Sequence, residues 1–444
     1  MPAPRDQLIE AFRSRTAAVG VVGLGYVGLP LVRAMHGAGF RVVGYDIDPA
    51  KVERLRAGQT YLAHLGADLT PALMASGRFT PTADPAALRT CDAVAVCVPT
   101  PLGKHNEPDL SYVENSMRMI AEQLRHRAGP VLVSLESTTY PGTTRELCLP
   151  ILEVSGKRLG NDLFLCFAPE REDPGRRGVD TRTIPRLVGG VDADSTAAAA
   201  ALYGAAIERV VTVSSADVAE AAKLLENIYR SVNIALVNEL KPVLASMGID
   251  IWEVLDAAAT KPFGFQRFNP GPGLGGHCIP IDPYYLTYKA REFGHVTRFI
   301  ELAGEVNHAM PGYVVDRVAA ALNDDAKPVR GSRVLVLGIA YKPDVDDIRE
   351  TPAAPIIDQL LDRGAVVSYH DPHVARFPSM RKHSIDLESV ALTPDALAGS
   401  DCVVVVTNHK AIDWALVGAH AKLIVDTRNA MAGVPGVKAR IVKA

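Results

Sequence analysis

The chain has 444 residues, of which 48% are hydrophobic and 22% charged, and a formal net charge of −3. That length predicts two or three domains rather than one core, and the near-neutral charge excludes the footprint of a nucleic-acid or anionic-membrane binder. No apolar run approaches the roughly 18–20 residues that span a bilayer, Met1–Arg15 holds no hydrophobic signal core, and the six cysteines show neither a CxxC pair nor framework spacing, so a cytoplasmic, reducing setting is expected.

Ala17–Gly23 (AAVGVVG) predicts a short strand running straight into Gly23-Leu24-Gly25-Tyr26-Val27-Gly28. A helical pattern follows through Leu29, Val32 and Met35, stopped by Gly37 and Gly39, and the strand Phe40–Tyr45 then ends at Asp46. That is a βαβ unit. Gly23 allows a tight turn, Gly25 lets a pyrophosphate approach the main chain, and Gly28 lets helix and strand pack closely. Asp46 stands 23 residues after Gly23, where a carboxylate can bond both ribose hydroxyls and repel a 2′-phosphate. NAD is therefore expected over NADP, and Asp48 reads as a helix cap. Strands at 93–98, 131–135 and 163–168, with helices between them, extend this into one doubly wound sheet.

Two runs end strands at the carboxyl edge, where α/β proteins bind ligands. They are Glu136-Ser137-Thr138-Thr139-Tyr140-Pro141-Gly142-Thr143 and Ala168-Pro169-Glu170-Arg171-Glu172-Asp173-Pro174-Gly175. Either could be turn chemistry alone, but their common edge favours function. Ser214–Met247 predicts a long helix, capped from Ser214, Ser215 or Asp217 and kinked by Pro242. Lys223, Asn227 and Arg230 fall on one face of it. A solvated stripe is the bland reading; the apolar flanks favour an inward one.

Phe268-Asn269-Pro270-Gly271-Pro272-Gly273-Leu274-Gly275-Gly276-His277-Cys278-Ile279-Pro280-Ile281-Asp282-Pro283 is too rich in glycine and proline for a helix or central strand. It predicts a stiff loop that presents Cys278, with His277 and loop N–H groups able to favour a thiolate. An inert loop cysteine is the alternative, and Asp282 could equally be an N-cap. The other cysteines (Cys91, Cys97, Cys148, Cys166, Cys402) sit in apolar runs and read as buried hydrophobes. A second helical run is expected over Asp282–Asn307, which makes the middle region all-α.

From Ser332 the α/β rhythm returns, with strands at 333–338 and 366–369 and a helix over Ala353–Arg363. Tyr45-Asp46-Ile47-Asp48-Pro49 is echoed by Tyr369-His370-Asp371-Pro372. Gly338 leads into a charged insertion, Ile339–Glu350, in place of the second and third fingerprint glycines, so this copy is not expected to hold a dinucleotide in the usual way. Read alone, the insertion is a surface loop. The fold class expected is α/β, two Rossmann-like doubly wound domains joined by a long central helical domain, with boundaries at 1–210, 211–310 and 311–444.

Together GLGYVGLP, STTYPGTT, APERE, the helix with Lys223 and Asn227, GPGLGGHCIPIDP and YKPDVDDIRETP resemble the UDP-glucose/GDP-mannose dehydrogenase family, in the family's order and over essentially the whole chain. KPFGF followed by PGPGLGGHCIPIDP looks most like its UDP-N-acetylglucosamine 6-dehydrogenases, whose uronic acids serve bacterial surface polysaccharides. The resemblance implies a four-electron oxidation of a UDP-sugar C6 hydroxymethyl to a carboxylate with two NAD in succession, and no metal. It assigns Lys223 as base, Cys278 as the nucleophile that forms a thiohemiacetal and then a thioester, and Asp282 or Glu170 with Thr138 as holders of the hydrolytic water. Lys223 and Asn227 would also stabilise the oxyanion. By the same resemblance Gly23, Gly25, Tyr26, Val27, Gly28, Asp46, Lys51, Thr100, Thr138 and Arg349 line the cofactor site. Glu170, Arg171, Lys223, Asn227, Arg230, Phe268, Gly271, Gly275 and Lys342 contact the nucleotide-sugar. The resemblance also implies a substrate held between the Rossmann-like domains and a homodimer through the central helices. UDP-N-acetylmannosamine and UDP-glucose are the alternative substrates. Rival classes are a two-electron β-hydroxyacid dehydrogenase, which would need neither Cys278 nor a second α/β domain, and a non-catalytic NAD- or nucleotide-sugar-binding regulator.

Overall fold

The computed structural model describes residues 2–62, 65–171, 181–276, 278–380 and 383–444. They divide into two units, Met1–Glu226 with Tyr284–His295, and Asn227–Pro283 with Val296–Ala444. In the first, β1 (Ala18–Val22), β2 (Arg41–Tyr45), β3 (Phe79–Thr82), β4 (Ala93–Val96), β5 (Val131–Leu135), β6 (Leu163–Phe167), β7 (Arg186–Gly190) and β8 (Val210–Thr212) form one sheet in the order β3-β2-β1-β4-β5-β6-β7-β8. β1, β4, β5 and β6 are buried on both faces, as continuous apolar runs in a parallel sheet require. All pairs are parallel except β6 with β7. Strand order reverses at β1, which lies between β2 and β4 with Val22 level with both Tyr45 and Val96. Chain segments leaving β1, β2 and β4 therefore emerge side by side at one carboxyl edge, the usual ligand-binding position of such sheets.

In the second unit β9 (Arg333–Leu337), β10 (Val366–His370), β11 (Cys402–Val405), β12 (Leu423–Asp426) and β13 (Arg440–Lys443) make a parallel sheet in the order β10-β9-β11-β12-β13. Apolar clusters cover both of its faces, one built with helix Arg298–Asp324 through Val314, Val315, Val318 and Leu322. The fold class is thus α/β with two Rossmann-like sheets, and the chain between them is helical. Among the described residues no helix is long and apolar enough to cross a membrane.

The long helix runs Ala216–Ser246 and contains Pro242, with the Ser215 hydroxyl accepting from the Val218 N–H as its cap. The second helical run differs from expectation. It is two helices, Asp282–Glu292 and Arg298–Asp324. Gly294 takes φ +74°, and the N–H groups of Phe293, Gly294 and His295 turn back onto Ala290 and Arg291 carbonyls, which closes the first helix. Periodicity alone ran through that glycine.

Candidate active site

The fingerprint turn is shaped by contact. Gly23 has φ +91°, and a β-carbon there would meet the Cys97 carbonyl oxygen at 2.5 Å. One on Gly28 would lie 1.8 Å from the Gly23 carbonyl oxygen, so close helix–strand packing fixes that residue. Among the described residues nothing beyond its own chain neighbours comes within 4 Å of such a position on Gly25, so its main chain stays open to an approaching ligand ahead of helix Gly28–Gly37. Buried Asp46 accepts the Leu24 N–H at 2.9 Å and the Asp48 N–H at 3.0 Å, and Lys51 Nζ stands 3.5 Å away. Its carboxylate retains acceptor positions for ribose hydroxyls. An open glycine main chain, a helix N-terminus and this carboxylate fit NAD. Asp48 caps the next helix by accepting from Ala50, as expected. Tyr26 and Val27 pack partly buried beside the turn. Tyr61, which sequence reasoning missed, donates its hydroxyl to the Leu24 carbonyl.

Thr100 follows β4 and is buried, and Thr138 follows β5 and is half-buried. The Ser137 hydroxyl donates to the Val98 carbonyl at 2.7 Å and so ties the two strand ends together. Beneath them is a buried charge cluster that joins Glu136 and Glu170, from the two runs singled out in the sequence, to Arg186 and Tyr203, which carried no sequence signal because they come from a separate strand and a helix. Arg186 donates to Glu136 at 2.9 Å, to Glu170 at 2.6 Å and to the Ala168 carbonyl at 3.1 Å. Tyr203 donates its hydroxyl to Glu136 at 2.6 Å. Burial pushes the Glu136 carboxyl up to about 7 against the pull of Arg186. Glu170 also accepts the Arg171 N–H at 2.6 Å. The Arg171 guanidinium is held by Glu226 and by the Pro185 carbonyl. Glu172–Gly175, the rest of that expected run, lie outside the described residues.

Lys223 and Asn227 are 8% and 7% exposed, which rejects the solvated-stripe reading for both. Arg230, expected on the same face, is exposed. Asn227 donates its side-chain amide to Asp282 at 2.5 Å, and Asp282 is buried as the first residue of its helix. One turn earlier the Cys278 carbonyl accepts the N–H groups of Ile281 and Asp282 at 3.1 and 2.8 Å. Cys278 is exposed while the other five cysteines are buried. Burial lifts the thiols of Cys91, Cys166 and Cys402 to about 12, which leaves them inert. His277 lies outside the described residues.

The loop before Cys278 is pinned from several sides. Gly271 donates its N–H to Asn238 at 2.9 Å, and Asn238 donates in turn to Asn307 at 2.9 Å. Gly276 donates to the Arg349 carbonyl at 2.9 Å, and a β-carbon on Gly275 would meet that of Tyr341 at 2.5 Å. Phe268 packs on the Val237–Trp252–Leu255 cluster and meets Tyr229 edge-to-face at 5.7 Å. Arg428, absent from the sequence reading, lies where a Gly271 side chain would be and donates to the Val406 carbonyl at 2.9 Å. Burial lowers its guanidinium to about 10. The insertion Ile339–Glu350 is folded rather than a surface loop, because Val345, Asp347 and Ile348 are buried. Arg349 clasps Asp347 with contacts of 2.6–3.0 Å, and Lys342 lies over the Tyr341 ring at 5.6 Å.

Comparison with known proteins matches three adjoining family models. These are the NAD binding domain (residues 17–207), central domain (217–309) and UDP binding domain (335–433) of the UDP-glucose/GDP-mannose dehydrogenases. UDP-N-acetyl-D-glucosamine 6-dehydrogenase of Pseudomonas aeruginosa is 38% identical over 374 residues, 83% of this chain and 85% of that one. UDP-N-acetyl-D-mannosamine dehydrogenase of Pyrococcus horikoshii is 33% identical over 93% of this chain and 95% of its own. A solved structure of UDP-D-ManNAc dehydrogenase from Pyrococcus horikoshii superposes with a TM-score of 0.86 at 31% identity, covering 96% of this chain and 99% of that one. A UDP-glucose dehydrogenase from Pyrobaculum islandicum gives 0.85 at 27% identity, covering 96% and 97%.

Proposed function

The chain belongs to the UDP-glucose/GDP-mannose dehydrogenase family, and we propose that within it the substrate is UDP-N-acetylglucosamine, oxidised to the uronate. It is an NAD-dependent UDP-sugar dehydrogenase; the proposal concerns the sugar and the residues that act on it. The observation that carries the chemistry is the exposed Cys278 thiol one turn ahead of the buried Asp282–Asn227 pair. The Pseudomonas aeruginosa relative and the loop around Cys278 support the N-acetylglucosamine choice.

Bound NAD supplies the electron acceptor for each two-electron oxidation at C6. In our reading Lys223 accepts the proton of the C6 hydroxyl as the aldehyde forms. The Cys278 thiolate adds to that aldehyde, forming an S–C6 bond and a thiohemiacetal that cannot escape. After the second oxidation the adduct is a thioester. Water held by Asp282, with Glu170 and Thr138 assisting, attacks it; the S–C6 bond breaks, water supplies the second carboxylate oxygen, and the thiol is restored. Asn227 holds Asp282 as an acceptor by its 2.5 Å hydrogen bond. Gly23, Gly25, Tyr26, Val27, Gly28, Asp46, Lys51, Thr100 and Arg349 serve the cofactor. Arg171, Arg230, Phe268, Gly271, Gly275 and Lys342 serve the nucleotide-sugar.

The division of labour proposed is 1–210 for NAD, 211–310 for the helices and the thiol loop, and 311–444 for UDP. We propose a homodimer through the long helix, where Leu225, Leu236, Leu240 and Val243 are exposed. Sedimentation of a monomer at micromolar concentration would remove it. The deciding assay for the sugar is a panel of UDP-hexoses followed by NADH formation, with two equivalents per sugar expected and UDP-N-acetylglucosamine turned over best. Preference for UDP-N-acetylmannosamine, the reading favoured by the Pyrococcus horikoshii structure, would displace the sugar assignment. Cys278→Ser should stall at the aldehyde, and normal uronate formation by it would remove the thioester step.

A further inference from the structure

Glu220 has no part in the chemistry described, yet it is fully buried and its carboxylate is the meeting point of the turn that follows β5. One oxygen accepts the Gly142 N–H at 2.7 Å. The other accepts the Thr144 N–H at 2.9 Å, the Thr144 hydroxyl at 2.6 Å and the Thr139 hydroxyl at 3.4 Å. Gly142 and Thr144 begin a one-turn π-helix, Thr143–Cys148, whose first N–H groups have no partner within the helix. A carboxylate placed there is a sufficient cap, and capping alone would be the structural explanation.

The position of Glu220 on the long helix adds more. It precedes Lys223 by three residues and Asn227 by seven, so all three carboxylate, ammonium and amide groups rise from one face of that helix. At its other end the same turn is latched by Ser137, whose hydroxyl donates to the Val98 carbonyl beside the fingerprint turn. Thr138 is the half-buried residue left between these two latches.

We propose that Glu220 is a positioning residue that sets Thr138 against the cofactor by clasping residues 139–144 onto the face of the helix that carries Lys223. This rests on the reading of Thr138 as a cofactor-site residue. Glu220→Gln keeps the shape but turns an amide NH2 toward main-chain donors, so the turn must shift. Thr144→Val removes one hydroxyl donor and keeps the N–H, whereas Thr144→Ser keeps both.

The test is made on the full-length enzyme, with NADH titration by nicotinamide fluorescence alongside steady-state rates and thermal melting. NADH Kd should rise about 10-fold in Glu220→Gln and less in Thr144→Val, with kcat lowered about 10- to 100-fold, since small misplacements near reacting groups have effects of that order. KM for the UDP-sugar should stay within about twofold, and Thr144→Ser should behave as wild type. A lowered melting temperature with unchanged NADH Kd would show a helix cap only and overturn the proposal. If the wild type oxidised no UDP-sugar, the functional reading would fall, but the NADH comparison would still decide the role of Glu220. If Glu220→Gln did not fold, Thr144→Val against Thr144→Ser would decide it.

Discussion

Replacing Arg186 with methionine removes the cation from the buried cluster while keeping most of its volume. Arg186 is 2% exposed and gives three hydrogen bonds, at 2.9 Å to Glu136, 3.1 Å to the Ala168 carbonyl and 2.6 Å to Glu170. Glu136 would keep Tyr203 and Glu170 would keep the Arg171 N–H, but neither carboxylate would face a positive charge. Breaking a buried ion cluster on one side costs about 3–5 kcal/mol, or roughly 6–20 °C in Tm for a unit of this size. The pH dependence has a definite sign. Burial raises Glu136 in the folded protein from 4.5 to about 7, and losing Arg186 raises it further. A carboxyl raised on folding contributes stability that is present below its unfolded value and lost as pH rises through its folded one. Guanidinium unfolding should therefore show a small deficit for Arg186→Met near pH 5 that grows as pH rises above 7 toward the variant's higher folded value. Adding Glu136→Gln should restore part of it at pH 8. A deficit below about 1 kcal/mol at pH 8, or strict additivity of the two changes, would refute the reasoning.

Three further outcomes can be measured. Asp46→Ala should weaken NAD about 10- to 100-fold, the scale of charge-assisted hydrogen bonds to ribose, and NADP far less; equal losses by calorimetry would remove the ribose role. Iodoacetamide on the native protein should label Cys278 well before any other cysteine, as read by peptide mass spectrometry. Comparable labelling of Cys97 or Cys166 would contradict the burial described. Asn227→Asp sets a second carboxyl 2.5 Å from Asp282, where the two must share a proton, so kcat should fall about 100-fold and its acidic limb should move up in pH. An unshifted profile would take that pair out of the reaction.

What the sequence made legible was local. The GxGxxG spacing, the carboxylate closing β2, the Asp48 cap and the lone cysteine outside an apolar run each depend on neighbours within about two dozen residues. The rest depended on tertiary placement. Arg186, Glu136, Glu170 and Tyr203 are brought together only by the sheet and its flanking helix, so no spacing marks them. Glu220 looks like one more acidic residue on a helix until the turn after β5 is seen on it. The helix expected through Asn307 broke because Gly294 adopts a left-handed conformation that no periodicity registers. Arg230 shared the angular position of Lys223 without sharing its burial.

Gly338 repeats the turn of Gly23, with φ +76° and the Thr407 carbonyl oxygen 2.2 Å from where a β-carbon would stand. Asp371 stands where Asp46 does in the first sheet, but it receives five donors of its own. The N–H groups of Ile339 and Ala340 and the ring of His409 reach one oxygen, and those of His373 and Val374 reach the other. With both oxygens already shared among five donors, it serves to brace its own sheet rather than to recognise a sugar hydroxyl. Grafting dinucleotide affinity onto the second sheet would mean dismantling that brace before adding a single glycine.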